Sequence, residues 1–374
     1  MPLVPSHLKD RYLPLDDLLP YLEMFDKHCK IKVMFVGKSV LKKDIPVIRI
    51  GNGDFKMLCW SQMHGNETTT TKMLLDICHQ FYTGKENVSQ WTTILERVTL
   101  IIVPVLNPDG ASLYTRENAN EVDLNRDAKQ LTQPESLVLR ELFDAEQPDL
   151  CLNLHGQRSI YGIKESGKSA AISFLAPAAD KEKSLTPARV FAMNLISGMN
   201  HLLQTKIPGQ VGRYDDTYNG NCVGDTFTSL GCPVILFEAG QLALDYDRNN
   251  TRTLLNQVFI ALLRHLSGID TFADSTPKDY FDIPENVVFY DDILIKNVLF
   301  PPFKEVINIR AHYKEVLKDR HIRFIPEAVE YGEGITGTAH QIIDCQNNPV
   351  DDSTINTSDL VDYVTEYLLK NFSR

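Results

Sequence analysis

The stretch SQMHGNETTTTK, residues 61–72, sets His64 and Glu67 three apart directly after the apolar run KMLCWSQ. A second histidine, His155, stands at the end of another apolar run, DLCLNL. Imidazole nitrogens and carboxylate oxygens are donors that zinc takes, and three of them leave a fourth tetrahedral position for water, the layout of a catalytic rather than a structural site. Such a site lowers the pKa of that water toward ~7 and supplies hydroxide at neutral pH. The H-x-x-E spacing alone is weak. It recurs at His312 and Glu315 in RAHYKEV, with no strand end or glycine turn before it, and its ordinary reading there is a pair on a helix surface. The chemistry therefore depends on whether the chain brings residues 64, 67 and 155 together.

The elements around these residues give a way to do so. IKVMFVG (31–37), VIRIG (47–51), KMLCWSQ (56–62), RVTLIIVPV (97–105), DLCLNL (149–154) and CPVILFEAG (232–240) are short, β-branched and bounded by Gly, Pro or Asn, which predicts buried strands of one sheet. Between them TTTTKMLLDICHQFY, PESLVLRELFDAE, TPARVFAMNLISGMNHLL and NTRTLLNQVFIALLRHL repeat apolar residues at helical spacing behind Thr, Pro or Asn start signals. This alternation predicts an α/β fold, a three-layer α/β/α sandwich with a mixed, mainly parallel sheet. His64 and His155 then leave the carboxyl ends of strands, the edge at which open α/β sheets bind ligands. Past residue 272 the pattern changes to short β-like pieces and a last amphipathic run, DLVDYVTEYLLKNF. The expected division is a catalytic unit over 1–272 and a small β-containing C-terminal extension over 273–374, whose role the sequence does not supply.

A chain of 374 residues fits one large domain with an appendage. The formal charge of −11, with no dense block of Lys and Arg, argues against nucleic acid and anionic membranes as partners. The opening MPLVPSHLKDRYLPLDDLLPYLEMF is broken by prolines and charges, and no stretch reaches 18 apolar residues, so the expected location is the cytoplasm. The seven cysteines are scattered and include no C-x-x-C, and they read as reduced core residues.

After RVTLIIVPVL the chain reads NPDGASLYTRENANEVDLNRDA, and the strand PVILFEAG ends in Glu238. With HGNE and LHG in the same order, the sequence resembles the zinc metallocarboxypeptidase family, the carboxypeptidase A and B type, from GKSVLKKDIPVIRIG through the helix after Glu238. The short stretch from Arg116 to Asn125 is similar to the bacterial branch that includes murein peptide amidases. The resemblance implies that His64, Glu67 and His155 hold zinc, the single cofactor, and that Asp123 holds a zinc histidine from behind. It implies that Arg116, Asn125 and Arg126 grip the free carboxylate of a peptide substrate, and that Glu238 is the general base. Arg116 would also steady the tetrahedral oxyanion. A tyrosine before the general base is also implied, and Tyr214 and Tyr218 both qualify. In GNCVGDTF, Val223 and Asp225 point in different directions, toward an apolar or a basic terminal residue. The residue types suit these tasks: Arg reads a carboxylate with two parallel bonds, a ligand histidine donates its other N–H to a carboxylate, and burial at a strand end raises a glutamate toward the range of a working base.

Two other functions compete with hydrolysis of a C-terminal peptide bond. One is a zinc amidohydrolase of N-acyl amino acids, similar to succinylglutamate desuccinylase and aspartoacylase, which a β-rich final unit would suit. The other is a peptide-binding module without catalysis, against which the intact set His64, Glu67, His155 and Glu238 argues. GIKESGKS, residues 162–169, matches the phosphate-loop pattern, yet the following AAISFLAP reads as a strand, so the helix that a phosphate loop needs is missing. No G-x-S-x-G elbow occurs, and Cys151 lies inside an apolar strand where burial makes a thiol inert. The oligomeric state is left open by the sequence.

Overall fold

A computed structural model describes residues 8, 10–84, 88–300, 305–348 and 360–374 of the chain. Residues 1–7 and 9 of the opening segment, and Asp359 of the last predicted helix, lie outside the described residues. The main sheet is eight-stranded. Its first strands are β1 (Ile31–Lys38), β2 (Asp44–Ile50), β3 (Phe55–Ser61), β4 (Val98–Val103) and β5 (Leu150–Gly156). Then come the short β6 (Tyr161–Ile163) and β7 (Lys168–Ser169), followed by β8 (Ile172–Leu175), β9 (Val211–Arg213) and β10 (Val234–Ala239). The order across the sheet is β1-β2-β4-β3-β5-β10-β8-β9. Strands β4, β3, β5 and β10 run parallel at its centre, and antiparallel pairing appears at β1–β2, β2–β4 and β8–β10.

The pleat sends alternate side chains to opposite faces, and here both faces are covered. Met57, Cys59, Leu100 and Ile102 join the apolar cluster under the helices Thr69–Thr83, Pro187–Gln204 and Asn249–Leu266. Leu58, Trp60, Ile101 and Val103 join a second cluster under the helix Pro134–Glu146, with Phe143 stacked on Phe227. These are the three predicted layers. The helix Leu15–Asp26 adds to the first cluster through Leu18, Leu22 and Phe25. Asp76 and Arg252, both buried, join two of the helices on that face by paired bonds of 2.5 and 2.6 Å.

The phosphate-loop match folds as the β6–β7 hairpin, turning at Gly167 with φ of +67°, and strand β8 follows it. No helix opens at Lys168–Ser169, so the element that would cradle a phosphate is absent there. Strand β11 (Asn286–Val288) pairs with β6. The C-terminal sheet contains β12 (Tyr290–Phe300), β13 (Glu305–Lys318), β14 (His321–Gly332) and β15 (Thr338–Asp344), ordered β14-β13-β12-β15. The helix Leu360–Phe372 packs Tyr363, Val364 and Leu368 onto it. Tyr280 and Ile283 belong to the main core instead.

Two expectations need correction. RAHYKEV is part of strand β13, in line with the β-like run EVINIRAHY and against the helix surface that the H-x-x-E spacing alone suggests, because Ile307, Ile309 and Ala311 alternate into the core of the C-terminal sheet. The cysteines are free, but they are not all core residues: Cys59, Cys78, Cys151 and Cys232 are buried, whereas Cys29 is exposed.

Candidate active site

Strand register does the first part of the assembly. Strands β5 and β10 pair in parallel with Glu238 beside His155, and β3 pairs with β5 as far as Ser61 beside Leu154. His64 lies three residues past the end of β3. Between them Gln62 takes a left-handed conformation, φ 42°, costly for a residue with a Cβ. Its buried side chain holds the turn by donating to Leu13 O at 3.0 Å and Gly65 O at 2.9 Å. The turn at His64 presses against the N-P-D-G turn: a Cβ at Gly65 would stand 2.0 Å from the carbonyl carbon of Gly110. Asn107 fastens the second turn, accepting from Gly110 N at 2.8 Å and donating to Met63 O and Glu117 O. HGNE and NPDG therefore depend on each other, and together they aim the loop that carries Arg116.

The three residues that the sequence nominates converge. Ligating atoms of His64, Glu67 and His155 lie within 4.8 Å of one another. His64 Nδ1 is 2.9 Å from Glu67 Oε1 and 3.1 Å from His155 Nδ1, which is 2.9 Å from Glu67 Oε2. Two imidazole nitrogens and a carboxylate facing one point present lone pairs to a cation. The donor set of two nitrogens and a carboxylate suits zinc. Behind it, His64 Nε2 stands 3.0 Å from Asp123 Oδ1, which fixes the proton on the far nitrogen and frees Nδ1 for a metal. Gly156 N donates to Glu67 Oε2 at 3.0 Å and steadies the carboxylate.

Burial and charge act together here. Burial lowers the His64 pKa, but Glu67 and Asp123 outweigh it and raise the group to about 9. Burial leaves His155 below the usual histidine value despite Glu67. Asp123 is held well below the carboxylate range by His64 and Arg116 against its own partial burial. Glu238 is pushed well above the ordinary glutamate value, first by burial and then by repulsion from Glu67, and its enclosed Oε2 has no hydrogen-bond partner. A carboxyl group whose burial disfavours its charged form holds a proton more readily than an exposed glutamate does.

These residues line a cleft of about 880 Å³. Arg116 donates to Asp123 Oδ2 at 3.0 and 3.2 Å and reaches Glu67 Oε1 at 3.5 Å. Asn125 accepts from Val223 N at 3.0 Å, and Arg126 donates to Asn125 O and to Cys222 Sγ. All three line the cleft. Of the two tyrosines left open, Tyr214 lines it, its ring 5.4 Å from that of Tyr161, while Tyr218 is not among the lining residues. Asp225 lines it as well, and Val223 does not.

Sequence reasoning missed a second group of lining residues. Arg11, Tyr114 and Arg248 come from the main unit, and His312, Lys314, Glu315, Glu327 and Val329 come from β13 and β14. Arg11, buried, pairs with Glu315 at 3.1 and 3.2 Å, and Tyr114 donates to the same carboxylate. This contact fastens the C-terminal sheet to the rim of the cleft across 304 residues of sequence. Local sequence carries no signal for it.

The mixed, mainly parallel sheet with a histidine–glutamate–histidine cluster at its carboxyl edge resembles the fold of solved metallo-carboxypeptidases. Residues 21–145 match the family model for zinc carboxypeptidase. Carboxypeptidase SOL1 of Arabidopsis thaliana is 36% identical over 126 residues, 31% of this chain and 25% of the relative. Carboxypeptidase M of Mus musculus is 29% identical over 146 residues, 32% of each. The chain thus spans a third or less of the length of these curated relatives. Among solved structures, a metallo-carboxypeptidase from Burkholderia cenocepacia superposes with a TM-score of 0.56 at 17% identity, covering 70% of this chain and 71% of that one. Among the described residues, no helix is long and apolar enough to cross a membrane.

Proposed function

We propose that this chain is a zinc-dependent carboxypeptidase that hydrolyses the last peptide bond of a substrate with a free C-terminal carboxylate, with a basic residue favoured at the terminus. The observation that carries the proposal is the convergence of His64, Glu67 and His155 beside the enclosed carboxyl of Glu238, in a cleft also lined by Arg116, Asn125 and Arg126.

His64, Glu67 and His155 would hold the ion, with His64 oriented by Asp123. Zinc, when bound, acidifies a water and polarises the scissile carbonyl. Arg126 and the Asn125 amide receive the terminal carboxylate, which puts the adjacent amide over the metal cluster. Arg116, on its pairs with Asp123 and Glu67, faces the oxygen on which charge grows as the carbonyl carbon becomes tetrahedral. Glu238 takes a proton from the attacking water and gives it to the departing amine nitrogen. Its raised pKa suits both transfers. Tyr214 is the tyrosine we assign to the substrate.

The residue beyond the scissile bond meets Asp225, the buried carboxylate of the cleft, which favours Lys or Arg. The family match over residues 21–145 supports a peptide over an N-acyl amino acid as substrate. Residues 273–374, the second of the two expected units, enter the proposal as one wall of the cleft.

The decisive variant is Glu238→Gln. Zinc content should stay at the wild-type level while kcat falls about 10²- to 10⁴-fold on N-blocked dipeptides ending in lysine. Undiminished turnover would remove Glu238 from the mechanism. Zinc-loaded wild-type protein that binds such peptides and leaves them intact would make the chain a binding module.

A further inference from the structure

The cleft contains a cation that the reaction described above does not use. Arg248 follows Glu238 by ten residues, in DYDRNN, and its side chain lines the cleft although the residue is only 3% exposed. Nη1 donates to Ala239 O, and the enclosed Nε has no partner. Among the described residues no carboxylate forms an ion pair with it. Burying a guanidinium without a counter-charge is costly, and such a group usually has an anion to meet.

Glu238 feels the charge of Arg248 but forms no hydrogen bond or ion pair with it among the described residues, and the other carboxylates of the cleft wall are committed elsewhere. Glu315 serves Arg11 and Tyr114, and Glu327 faces Lys314 at 3.4 Å. Glu67 belongs to the histidine cluster. Arg158, exposed at the mouth of the same cleft, is a second cation without an ion-pair partner among the described residues.

Position says which part of a substrate would meet these cations. Arg248 Nη1 and the Cβ of Glu67 each stand 3.5 Å from where a Cβ at Gly156 would lie, so Arg248 flanks the glutamate of the cluster. Arg126 lies against Cys222, where Asn125 accepts from Val223. With the terminal carboxylate at Arg126 and the scissile amide over the cluster, Arg248 and Arg158 face the acyl side of the bond.

We infer that Arg248, with Arg158 at the rim, forms a carboxylate-binding subsite for the residue preceding the scissile bond, so that the substrate carries an acidic group there. This rests on the carboxypeptidase reading for its direction. The carboxylate has two chemical sources: the side chain of an α-linked glutamate, or the α-carboxylate of a γ-linked one.

The test uses N-acetylated peptides in which glutamate, α- or γ-linked, or glutamine precedes a C-terminal lysine. Cleavage is measured with wild-type protein, and binding is measured by calorimetry with Glu238→Gln. Each glutamate peptide that fits should exceed the glutamine peptide by about 10- to 100-fold in kcat/KM and in affinity, as a charge-assisted bond predicts. The better of the two linkages identifies the source. Arg248→Gln should bring the glutamate-to-glutamine ratio close to one. Arg158→Gln, at an exposed site that the fold does not depend on, should lower it in part, which keeps the test intact if Arg248→Gln fails to fold. Equal binding of all three peptides by the full chain overturns the inference, whether or not any is cleaved. Selective binding without cleavage leaves the subsite standing and overturns the hydrolytic reading instead.

Discussion

Asp225→Asn isolates the selectivity of the cleft. Asp225 is 7% exposed, accepts from Asn219 N at 3.2 Å, and has no ion-pair partner among the described residues. Burial raises its carboxyl pKa to about 6. A lysine ammonium ~4 Å away at an effective dielectric of ~20 gains ~4 kcal/mol before solvation is counted. Desolvating both ions removes much of this, and a hydrogen bond to a charged group leaves ~1.5–3 kcal/mol, about 10- to 150-fold in kcat/KM. The assay compares N-blocked dipeptides ending in lysine and in leucine, because their ratio cancels losses common to both. Wild-type protein should favour lysine by about that factor, and Asp225→Asn should lose the preference. Since the attracting form is the carboxylate, the ratio should rise with pH through about 6 and level off above it. The free-enzyme value is the relevant one for kcat/KM. In the variant the ratio should be flat with pH. A wild-type preference for leucine, or a lysine preference that survives Asp225→Asn, refutes the argument that this carboxylate selects the terminal residue.

Gly65→Ala places a Cβ 2.0 Å from the Gly110 carbonyl carbon, so two backbones must separate; zinc content should fall and stability should drop by ~1–3 kcal/mol, and full zinc loading at native stability contradicts the abutting turns. Asp76→Ala leaves the buried Arg252 guanidinium without the carboxylate that its 2.5 and 2.6 Å bonds reach, a loss of ~3–5 kcal/mol measurable by urea unfolding; a cost under ~1 kcal/mol would mean that the pair contributes little. His155→Ala removes one of three zinc donors. Chelation should lower the melting temperature of wild-type protein, because an ion bound only by the folded state stabilises it, and should leave that of the variant unchanged. Equal shifts in both would place the metal elsewhere.

The sequence made the central sheet legible because parallel strands covered on both faces must be continuous apolar runs. The β4 run VTLIIV is buried at every position. His64, Glu67, His155 and Glu238 were legible for the same reason: each sits at or just past the end of such a run, and parallel pairing sets Glu238 beside His155. The wall of the cleft was not. Arg248 sits in a loop with no motif, and the pairing of Arg11 with Glu315 spans 304 residues. The pair His312–Glu315 carried a period-two signal, since Ile307, Ile309 and Ala311 alternate before it, but the spacing of three drew attention to a helix. Tyr214 and Tyr218 are equivalent on paper. They differ in the structure because Tyr214 follows β9 directly and its backbone N–H donates to Phe174 O on β8, which turns its ring into the cleft.

The charges that remain after the internal pairs are removed give the cleft a direction. Around the histidine cluster, Arg116, Asp123 and Glu67 largely neutralise one another, so this region selects on geometry and chemistry more than on net charge. The unpaired groups stand around it: Asp225 on the helix after Cys222, and Arg248 and Arg158 on the side of Gly156. A substrate with one acidic and one basic residue across its last bond matches this arrangement in one orientation and meets like charges in the other. Like-charge juxtaposition excludes partners more effectively than added contacts attract them. The C-terminal sheet strengthens the effect by placing β13 and β14 along the wall near Arg248, where reduced access to water weakens screening of a buried guanidinium. On the proposed function, its attachment through Arg11, Glu315 and Tyr114 would therefore be part of how the cleft distinguishes substrates.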